Sequence, residues 1–219
     1  MHGALCFPIS RLPIFKRLAP CTWHYFQAVV LVADHGESLV EHDELLQHGW
    51  FVYQPTVRVP LVVRLPDPPT GRAGTRVSAE ACSVDVAPTL LELAGVAAAG
   101  EDFDRRSLAP ELGLRAARPD EAGDLRREGC FTVGPRANHP YALRRRGFEL
   151  VVTPAGMPSD PRAPKDAVSE DPERVQLFDL AADPAEAVDL AARRPDLAEP
   201  MQAAVMRLRS RFRSNGWRW

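Results

Sequence analysis

The amino-acid sequence predicts an α/β fold, followed by a small antiparallel sheet and a final helix. A continuous apolar run, AVVLVA at residues 28–33, has the length of a buried strand, and a second run, VPLVVRL, covers residues 59–65. A helical segment begins near Asp85 and ends at Gly95. Strands and a helix joined by short connections are typical of α/β proteins.

The composition is that of an ordinary globular protein. The 219 residues are 45% hydrophobic and 26% charged, with a net charge of −2. This charge favours neither a nucleic-acid nor a membrane-surface partner. No apolar run approaches the roughly 18 residues of a membrane-spanning helix. Pro8, Arg11 and Pro13 interrupt any signal-peptide core, so we expect a cytoplasmic protein.

The four cysteines are scattered along the chain, without a CxxC spacing. Such spacing predicts neither a zinc site nor a recognisable disulfide framework. Free, mostly buried thiols in a reducing compartment are the favoured interpretation. The cysteines are Cys6, Cys21, Cys82 and Cys130.

Each element of the first part has its own signal. The run at residues 28–33 is apolar throughout, without alternating polar residues, so we expect a strand covered on both faces. The second strand is entered through Pro60 and is followed by a Pro- and Gly-rich turn. In the helix, Asp85 is the expected N-cap and Pro88 lies in the first turn, before three leucines.

The second part is predicted to hold three short strands, at residues 131–133, 141–143 and 148–153. Residues 154–174 are rich in Pro, Asp and Ser and form a surface loop. Asp196 and Glu199 form the expected capping box of the final helix. One apolar face of this helix predicts core packing: Leu197, Met201, Val205, Leu208 and Phe212. We therefore divide the chain into an irregular leader, an α/β part and a small C-terminal α+β part, at residues 1–27, 28–129 and 130–219.

Polar side chains follow the first strand directly, in the segment ADHGESLVEHDELLQHG. The carboxyl ends of strands in open α/β sheets are where ligands bind. Asp34 and His35 offer an oxygen and a nitrogen to a divalent cation, provided that the chain turns at Gly36. His48, next to Gly49, could approach a bound anion closely and donate a proton or hydrogen bonds to it. From spacing alone, a polar surface loop remains the favoured alternative.

Four ordered motifs resemble those of the sulfatase family, which belongs to the alkaline-phosphatase-like superfamily. They are LVADHGESLVEHDELLQHG, RVPLVVRLP, SVDVAPTLLELAGV and LFDLAADPAEAVDL, and they extend over most of the chain. The resemblance implies a partial sulfatase-like α/β sheet packed with helices, before the small C-terminal sheet and final helix.

The resemblance also implies roles for individual side chains. Asp34 and His35 match ligands of the active-site cation, usually Ca²⁺ in sulfatases, with Mn²⁺ and Zn²⁺ as alternatives. His48 matches the residue placed against the sulfate ester, and His42 matches a second-shell or structural histidine. Val40 and Asp43 stand where glycines are usual or frequent, which leaves the loop conformation between them open.

Other matching residues are expected to be structural. Arg58 fits the family pattern as a structural position, and Asp85 and Thr89 lie at a helix start, where capping is favoured over catalysis. The C-terminal motif resembles turn and packing features of the family. Its acidic residues are Asp179, Asp183 and Glu186.

The family nucleophile is a Cys or Ser in C-x-P-S-R, oxidised to formylglycine. The sole candidate here is Cys6 in CFPISR, which has one residue too many before Arg11 and Ile9 in place of the small Ser. No Asp pair precedes it, and Pro13 interrupts a following helix. We therefore expect that Cys6 is not a working nucleophile, and that the chain is a C-terminal portion without the nucleophile-bearing part.

Three functions stay open at this point. The favoured one is sulfuric ester hydrolysis, incomplete in this chain, with a sulfate ester as substrate. The alternatives are a phosphonate or phosphodiester hydrolase of the same superfamily, and a non-catalytic remnant or interaction module. A strand suited to a large sheet would expose apolar surface, so we expect association with a missing N-terminal half or self-association.

Overall fold

A computed structural model of the chain describes residues 27–96, 106–118, 129–134, 139–160, 162–163 and 168–214. The described residues form a mixed α/β structure, as the sequence predicts, with two antiparallel sheets. The antiparallel arrangement was predicted only for the second sheet. The leader, apart from residue 27, lies outside them, and so do Cys6 and Cys21. The division at residues 1–27, 28–129 and 130–219 stays a prediction.

The first sheet is a two-stranded antiparallel pair, β1 (Val29–Val32) with β2 (Leu61–Arg64). The expectation of a strand covered on both faces is wrong in this structure. Leu31 and Val32 are each 39% exposed, because only β2 pairs with β1 among the described residues. The expected exposure of apolar strand surface is confirmed for these side chains.

The described residues of this part include two α-helices. A single turn, α1 (Gln54–Val57), follows a run of buried residues, Trp50 to Tyr53, and carries Pro at its start. The longer helix, α2 (Val86–Leu93), follows a 3₁₀ turn, Ser83–Asp85. Asp85 makes no side-chain cap bond to α2; its carboxylate accepts the Cys82 N–H at 2.8 Å instead. Asp85 is therefore the N-cap residue by position, as the sequence predicts, but its side chain secures the preceding turn and not the helix.

The second sheet has the order β3-β4-β5-β6 and is antiparallel throughout. Three of its strands confirm the sequence prediction: β3 (Cys130–Val133), β4 (Tyr141–Arg145) and β5 (Phe148–Thr153). The fourth, β6 (Arg174–Asp179), was not predicted as a strand. It pairs with the whole length of β5, so the sheet is wider than the sequence indicates.

The final helix, α3 (Pro195–Ser214), packs on one face of this sheet. Met201, Val205 and Leu208 are buried against β4, β5 and β6, which confirms the predicted core face. The side chain of Phe212 lies outside the described ones. Asp196 lies inside the first turn and pairs with the Arg194 guanidinium at 2.8 Å, so the predicted capping box is wrong.

The opposite face of the second sheet packs against the run that leads into α1. Trp50, Phe51, Val52 and Tyr53 form one buried cluster with Ala142, Val151, Met157 and Phe178. The Tyr53 hydroxyl donates to Gln176 Oε1 at 2.7 Å. This contact joins the segment after β1 to the C-terminal sheet.

Cys82 and Cys130 are joined by a disulfide across 48 residues of sequence. The expectation of free thiols is therefore wrong for this pair. Disulfides persist in oxidising compartments, so the bond does not favour the cytoplasmic location that the sequence predicts. Within the described part of the chain, no helix has the length and apolar character needed to cross a membrane.

Candidate functional site

The turn after β1 is held against α1 by one backbone contact. The Gly36 N–H donates to the Thr56 carbonyl oxygen at 2.8 Å. A Cβ on residue 36 would lie 2.1 Å from the Pro55 carbonyl oxygen, so no larger residue fits without movement. Glycine is needed here for close backbone approach. The turn that carries Asp34 and His35 is thus attached directly to α1.

The ring of His35 has one nitrogen engaged and one available. Its Nδ1 lies 2.6 Å from the Gly36 carbonyl oxygen, an acceptor, so Nδ1 must donate. The lone pair of neutral His35 is then on Nε2, 3.7 Å from Asp34 Oδ2. The His35 backbone N–H donates to Asp34 Oδ1 at 3.0 Å. This hydrogen bond lowers the pKa of the Asp34 carboxyl, which stays charged at neutral pH. The Asp34 carboxylate and the Nε2 side of the His35 ring therefore lie next to each other.

His48 lies against His35, although 13 residues separate them. The two imidazole rings stack with centroids 3.7 Å apart and planes inclined by 22°. His48 Nδ1 lies 3.3 Å from Glu37 Oε2. His35, Glu37 and His48 are exposed, and each offers a ligand atom within 4.8 Å of the others. Glu37 is a functional candidate that the sequence interpretation missed; the only signal is its place after Asp-His-Gly.

The loop between Glu37 and His48 is closed by hydrogen bonds at its base. Ser38 and Gln47 exchange backbone bonds, with N···O distances of 3.1 and 3.3 Å. The buried Glu44 carboxylate accepts the Trp50 backbone N–H at 2.9 Å. Burial raises the pKa of the Glu44 carboxyl. These contacts fix the segment from which His48 projects.

His42 is not part of the His35–Glu37–His48 group. Its ring stacks on Tyr53, with centroids 3.7 Å apart, and its Nε2 lies 3.7 Å from Glu186 Oε2. His42 and Asp43 both adopt left-handed backbone angles, with φ of 53° and 61°. Glu41 Oε2 accepts the N–H groups of residues 39 and 40, and backbone donors lower the pKa of this carboxyl to about 2. A role for His42 in supporting the residues of the site stays a prediction.

A cavity of about 400 Å³ brings the predicted residues together with others from the C-terminal sheet. Its lining includes Asp34, His35 and His48 from the first part, and Arg144 and Glu149 from the second. Arg58 also lines it, a residue that the sequence interpretation treats as structural. The arrangement combines carboxylate, imidazole and guanidinium groups, which suits a cation and an anion side by side.

The remaining motif residues make local contacts. The Thr89 hydroxyl donates to the Asp85 carbonyl at 2.6 Å and accepts the Leu108 N–H at 2.8 Å. The Asp179 carboxylate accepts the N–H of Ala181, and that of Asp183 accepts the N–H of Val188. These are turn contacts. Glu186 differs, because it is buried and faces α1.

The family model and two curated relatives that match this chain are sulfatases. The sulfatase family model matches residues 27–96. N-acetylglucosamine-6-O-sulfatase of Bacteroides thetaiotaomicron is 28% identical over 167 residues, which cover 72% of this chain and 25% of that protein. Arylsulfatase K of Danio rerio is 27% identical over 178 residues, 79% of this chain and 29% of the relative. The chain thus spans between a quarter and three-tenths of the length of these curated relatives.

Solved structures give the same fold. A protein in complex with its substrate D-glucosamine-2-N,6-O-disulfate has a TM-score of 0.61 at 24% identity, covering 86% of this chain and 35% of that one. The phosphonate monoester hydrolase of Agrobacterium radiobacter has a TM-score of 0.57 at 21% identity, covering 84% and 35%. The chain is thus similar in sequence to sulfatases over residues 27–96 and over most of its length to the curated relatives, and its fold is that of the two solved structures.

Proposed function

We propose that this chain contributes the cation-binding and sulfate-binding residues of a sulfuric ester hydrolase. Asp34 and His35 hold a divalent cation, and His48 contacts the sulfate ester. The observation that carries this proposal is the contact between His35 and His48, whose rings stack at 3.7 Å in a cavity that Asp34 also lines. The two predicted roles therefore meet at one place.

The donor atoms fit a divalent cation. His35 Nε2 is free because Nδ1 donates to a carbonyl, and the charged Asp34 carboxylate lies beside it. Ca²⁺ is the expectation from the family, but it prefers oxygen ligands throughout. Imidazole ligands suit Mn²⁺ or Zn²⁺ as well, so Mn²⁺ is a practical probe. A bound cation polarises the sulfate oxygens and stabilises charge that develops on them.

His48 is suited to contact the ester. The Glu37 carboxylate lies within 3.3 Å of Nδ1 and holds the ring in place. Because Nδ1 then donates to Glu37, Nε2 donates a hydrogen bond or a proton to an ester oxygen when the ring is doubly protonated. Arg58 and Arg144 line the same cavity and add positive charge for an anionic substrate.

The nucleophile of the reaction belongs to chain outside the described residues. Cys82 and Cys130 are the cysteines that the structure describes, and their disulfide leaves neither thiol free to react. We therefore expect only background turnover of 4-nitrophenyl sulfate by this chain alone. Turnover that Asp34→Ala abolishes would contradict this assignment.

A second candidate function is phosphonate monoester hydrolysis. It is favoured by the structural likeness to the Agrobacterium radiobacter enzyme, whose TM-score is 0.57. Sulfate and phosphonate esters place anionic oxygens on a tetrahedral centre, so the same cation and histidine could serve either. Binding of the two anions by one protein can separate these functions.

The experiment is calorimetric titration of the chain with inorganic sulfate and with methylphosphonate, at saturating Mn²⁺ and after chelation. We expect sulfate to bind more tightly than methylphosphonate, only with Mn²⁺ present, and His48→Ala to weaken it about tenfold, the effect of one lost charge-assisted hydrogen bond. Arg193→Ala, which removes an exposed positive charge away from the cavity, is the control and should bind sulfate as the wild type does. Sulfate binding that is independent of Mn²⁺ or of His48 would contradict the proposal, and a preference for methylphosphonate would favour the second function.

A further inference from the structure

Two buried carboxyl groups have no role in the proposed chemistry. Glu149 lies in β5 on the face toward residues 50–57, and is 1% exposed. Glu186 follows β6 in the loop of the C-terminal motif and is 2% exposed. Glu186 also has φ of 55°, a strained backbone region for a residue other than glycine. Burying two acids and straining one of them is unfavourable unless specific contacts compensate.

Both carboxylates bind the same residue, Gln54, at the start of α1. The Gln54 side-chain amide donates to Glu149 Oε2. The Gln54 backbone N–H donates to Glu186 Oε2 at 2.8 Å. One residue of α1 is therefore held at two points by the C-terminal part of the chain.

The helix α1, which begins at Gln54, also contacts the proposed cation-binding turn. Thr56, two residues after Gln54, accepts the Gly36 N–H at 2.8 Å, and the Pro55 carbonyl leaves room only for glycine at residue 36. Gly36 joins His35 to Glu37, and its carbonyl accepts the His35 Nδ1 proton. A shift of α1 would therefore move the His35 ring.

We infer that Glu149 and Glu186 are positioning residues, which orient the His35–Glu37 turn through Gln54, α1 and Gly36. This inference rests on the proposed function, because it gives the turn its role in binding a cation. The C-terminal sheet thus shapes a site whose predicted ligands lie more than a hundred residues earlier in the chain. Glu149 also lines the cavity, so its substitution acts on the site through Gln54 and at the lining itself.

The charge state of Glu149 supports this arrangement. Burial, followed by the neighbouring Glu186 charge, raises the pKa of Glu149 to about 8. A protonated Glu149 adds no second negative charge beside the Glu186 carboxyl. Gln at position 149 has the same neutral charge and keeps an oxygen for Gln54 and a donor for Glu186. Ala keeps neither.

The test is hydrogen exchange at the Gly36 amide at pH 7, corrected for intrinsic rates. We expect Glu149→Ala to accelerate exchange at least about tenfold through local opening, and Glu149→Gln to retain wild-type protection. Gln54→Met removes the side-chain amide that donates to Glu149, without altering the sheet. This variant replaces Glu149→Ala in the test if Glu149→Ala does not fold. Leu177→Ala is the control, since Leu177 is buried on the opposite, helix-facing side of the sheet.

Mn²⁺ affinity of the same variants is the second readout. We expect Glu149→Ala and Gln54→Met to weaken Mn²⁺ binding about tenfold, as loss of supporting contacts does at metal sites, with recovery in Glu149→Gln. Unchanged Gly36 exchange in both Glu149→Ala and Gln54→Met, or equal acceleration in Leu177→Ala, would overturn the inference. If the wild type binds no Mn²⁺, the proposed cation site fails, while Gly36 exchange still decides the positioning role.

Discussion

At the scale of single residues, the sequence departs from the family pattern at Asp43 and at Val40, and their backbone angles differ. Glycine is frequent at the position of Asp43 in sulfatases, and Asp43 adopts φ of 61°, where glycine has no steric penalty. Val40, at the other departure, has φ of −161° and ψ of −1°, outside the left-handed region that favours glycine. The left-handed angle that favours glycine is therefore found at position 43 and not at position 40.

We predict that Asp43→Gly stabilises the chain by about 0.5–1 kcal/mol, because it relieves a left-handed non-glycine residue. Val40→Gly is the matched control and should destabilise by a similar amount, since glycine adds entropy to the unfolded chain. Urea unfolding followed by fluorescence measures both variants. Destabilisation by Asp43→Gly would contradict the left-handed loop.

How far residue roles were predictable from the sequence depended on distance along the chain. Asp34, His35 and the turn at Gly36 are adjacent, and a strand followed by polar residues indicates a site there. Glu37 and His48 meet because a Ser38–Gln47 bridge closes the loop between them, and no local pattern specifies that bridge. The pairing of Cys82 with Cys130 was unpredictable for a similar reason, since four cysteines allow several connectivities.

At the scale of elements, strands β3, β4 and β5 were predictable because each is a short run rich in aromatic and β-branched residues. β6 was missed because its residues were interpreted as part of a longer motif. The lone acid in the FELVVT strand was a usable signal, since β5 is covered on both faces and Glu149 had to be buried. Its partner Gln54 could not be identified without the tertiary structure.

The Glu149 carboxyl makes the stability of this sheet depend on pH. Its pKa of about 8 in the folded chain exceeds the ordinary glutamate pKa of 4.5, so between these values the folded chain holds a proton that the unfolded chain loses. Stability therefore falls as pH rises through this window, by at most about 1.4 kcal/mol per pH unit from this group. Glu186, Gln54 and Arg144 face Glu149, and His42 faces Glu186.

We predict that Glu149→Gln flattens the decline of the unfolding free energy between pH 5 and pH 8. At pH 8.5 the variant should be more stable than the wild type, because no buried charge forms. Urea unfolding across this range is the measurement, with the exposed Glu199→Gln on α3 as control. Parallel pH profiles for the wild type and Glu149→Gln would show that Glu149 ionises normally.

At the scale of the whole molecule, apolar surface is exposed around the candidate site. Leu31 and Val32 of β1 are each 39% exposed. Apolar side chains of the loop between Glu37 and His48 are exposed to a greater extent. The burial expected for β1 failed because burial depends on neighbouring surfaces, which the run AVVLVA does not specify. The loop side chains concerned are Leu39, Val40, Leu45 and Leu46, which are 57–68% exposed.

We predict that the isolated chain self-associates through this apolar surface. Light scattering coupled to size exclusion should show a mass that rises with concentration, and Leu31→Lys should shift the chain toward monomer. Leu114→Lys is the matched control, because Leu114 has the same 39% exposure in a different part of the chain. A monodisperse wild-type monomer with one cooperative unfolding transition would contradict this prediction.

The most direct test of the proposed cation site is calorimetric titration of the wild-type chain with Mn²⁺ at pH 7. We expect one Mn²⁺ per chain, with affinity reduced at least about tenfold by Asp34→Asn and by His35→Ala, since each removes a ligand. Asp160→Asn removes an exposed carboxylate that pairs with Arg162, and should leave Mn²⁺ affinity unchanged. Absence of binding, or equal affinity in all four proteins, would contradict the assignment of Asp34 and His35 to a cation.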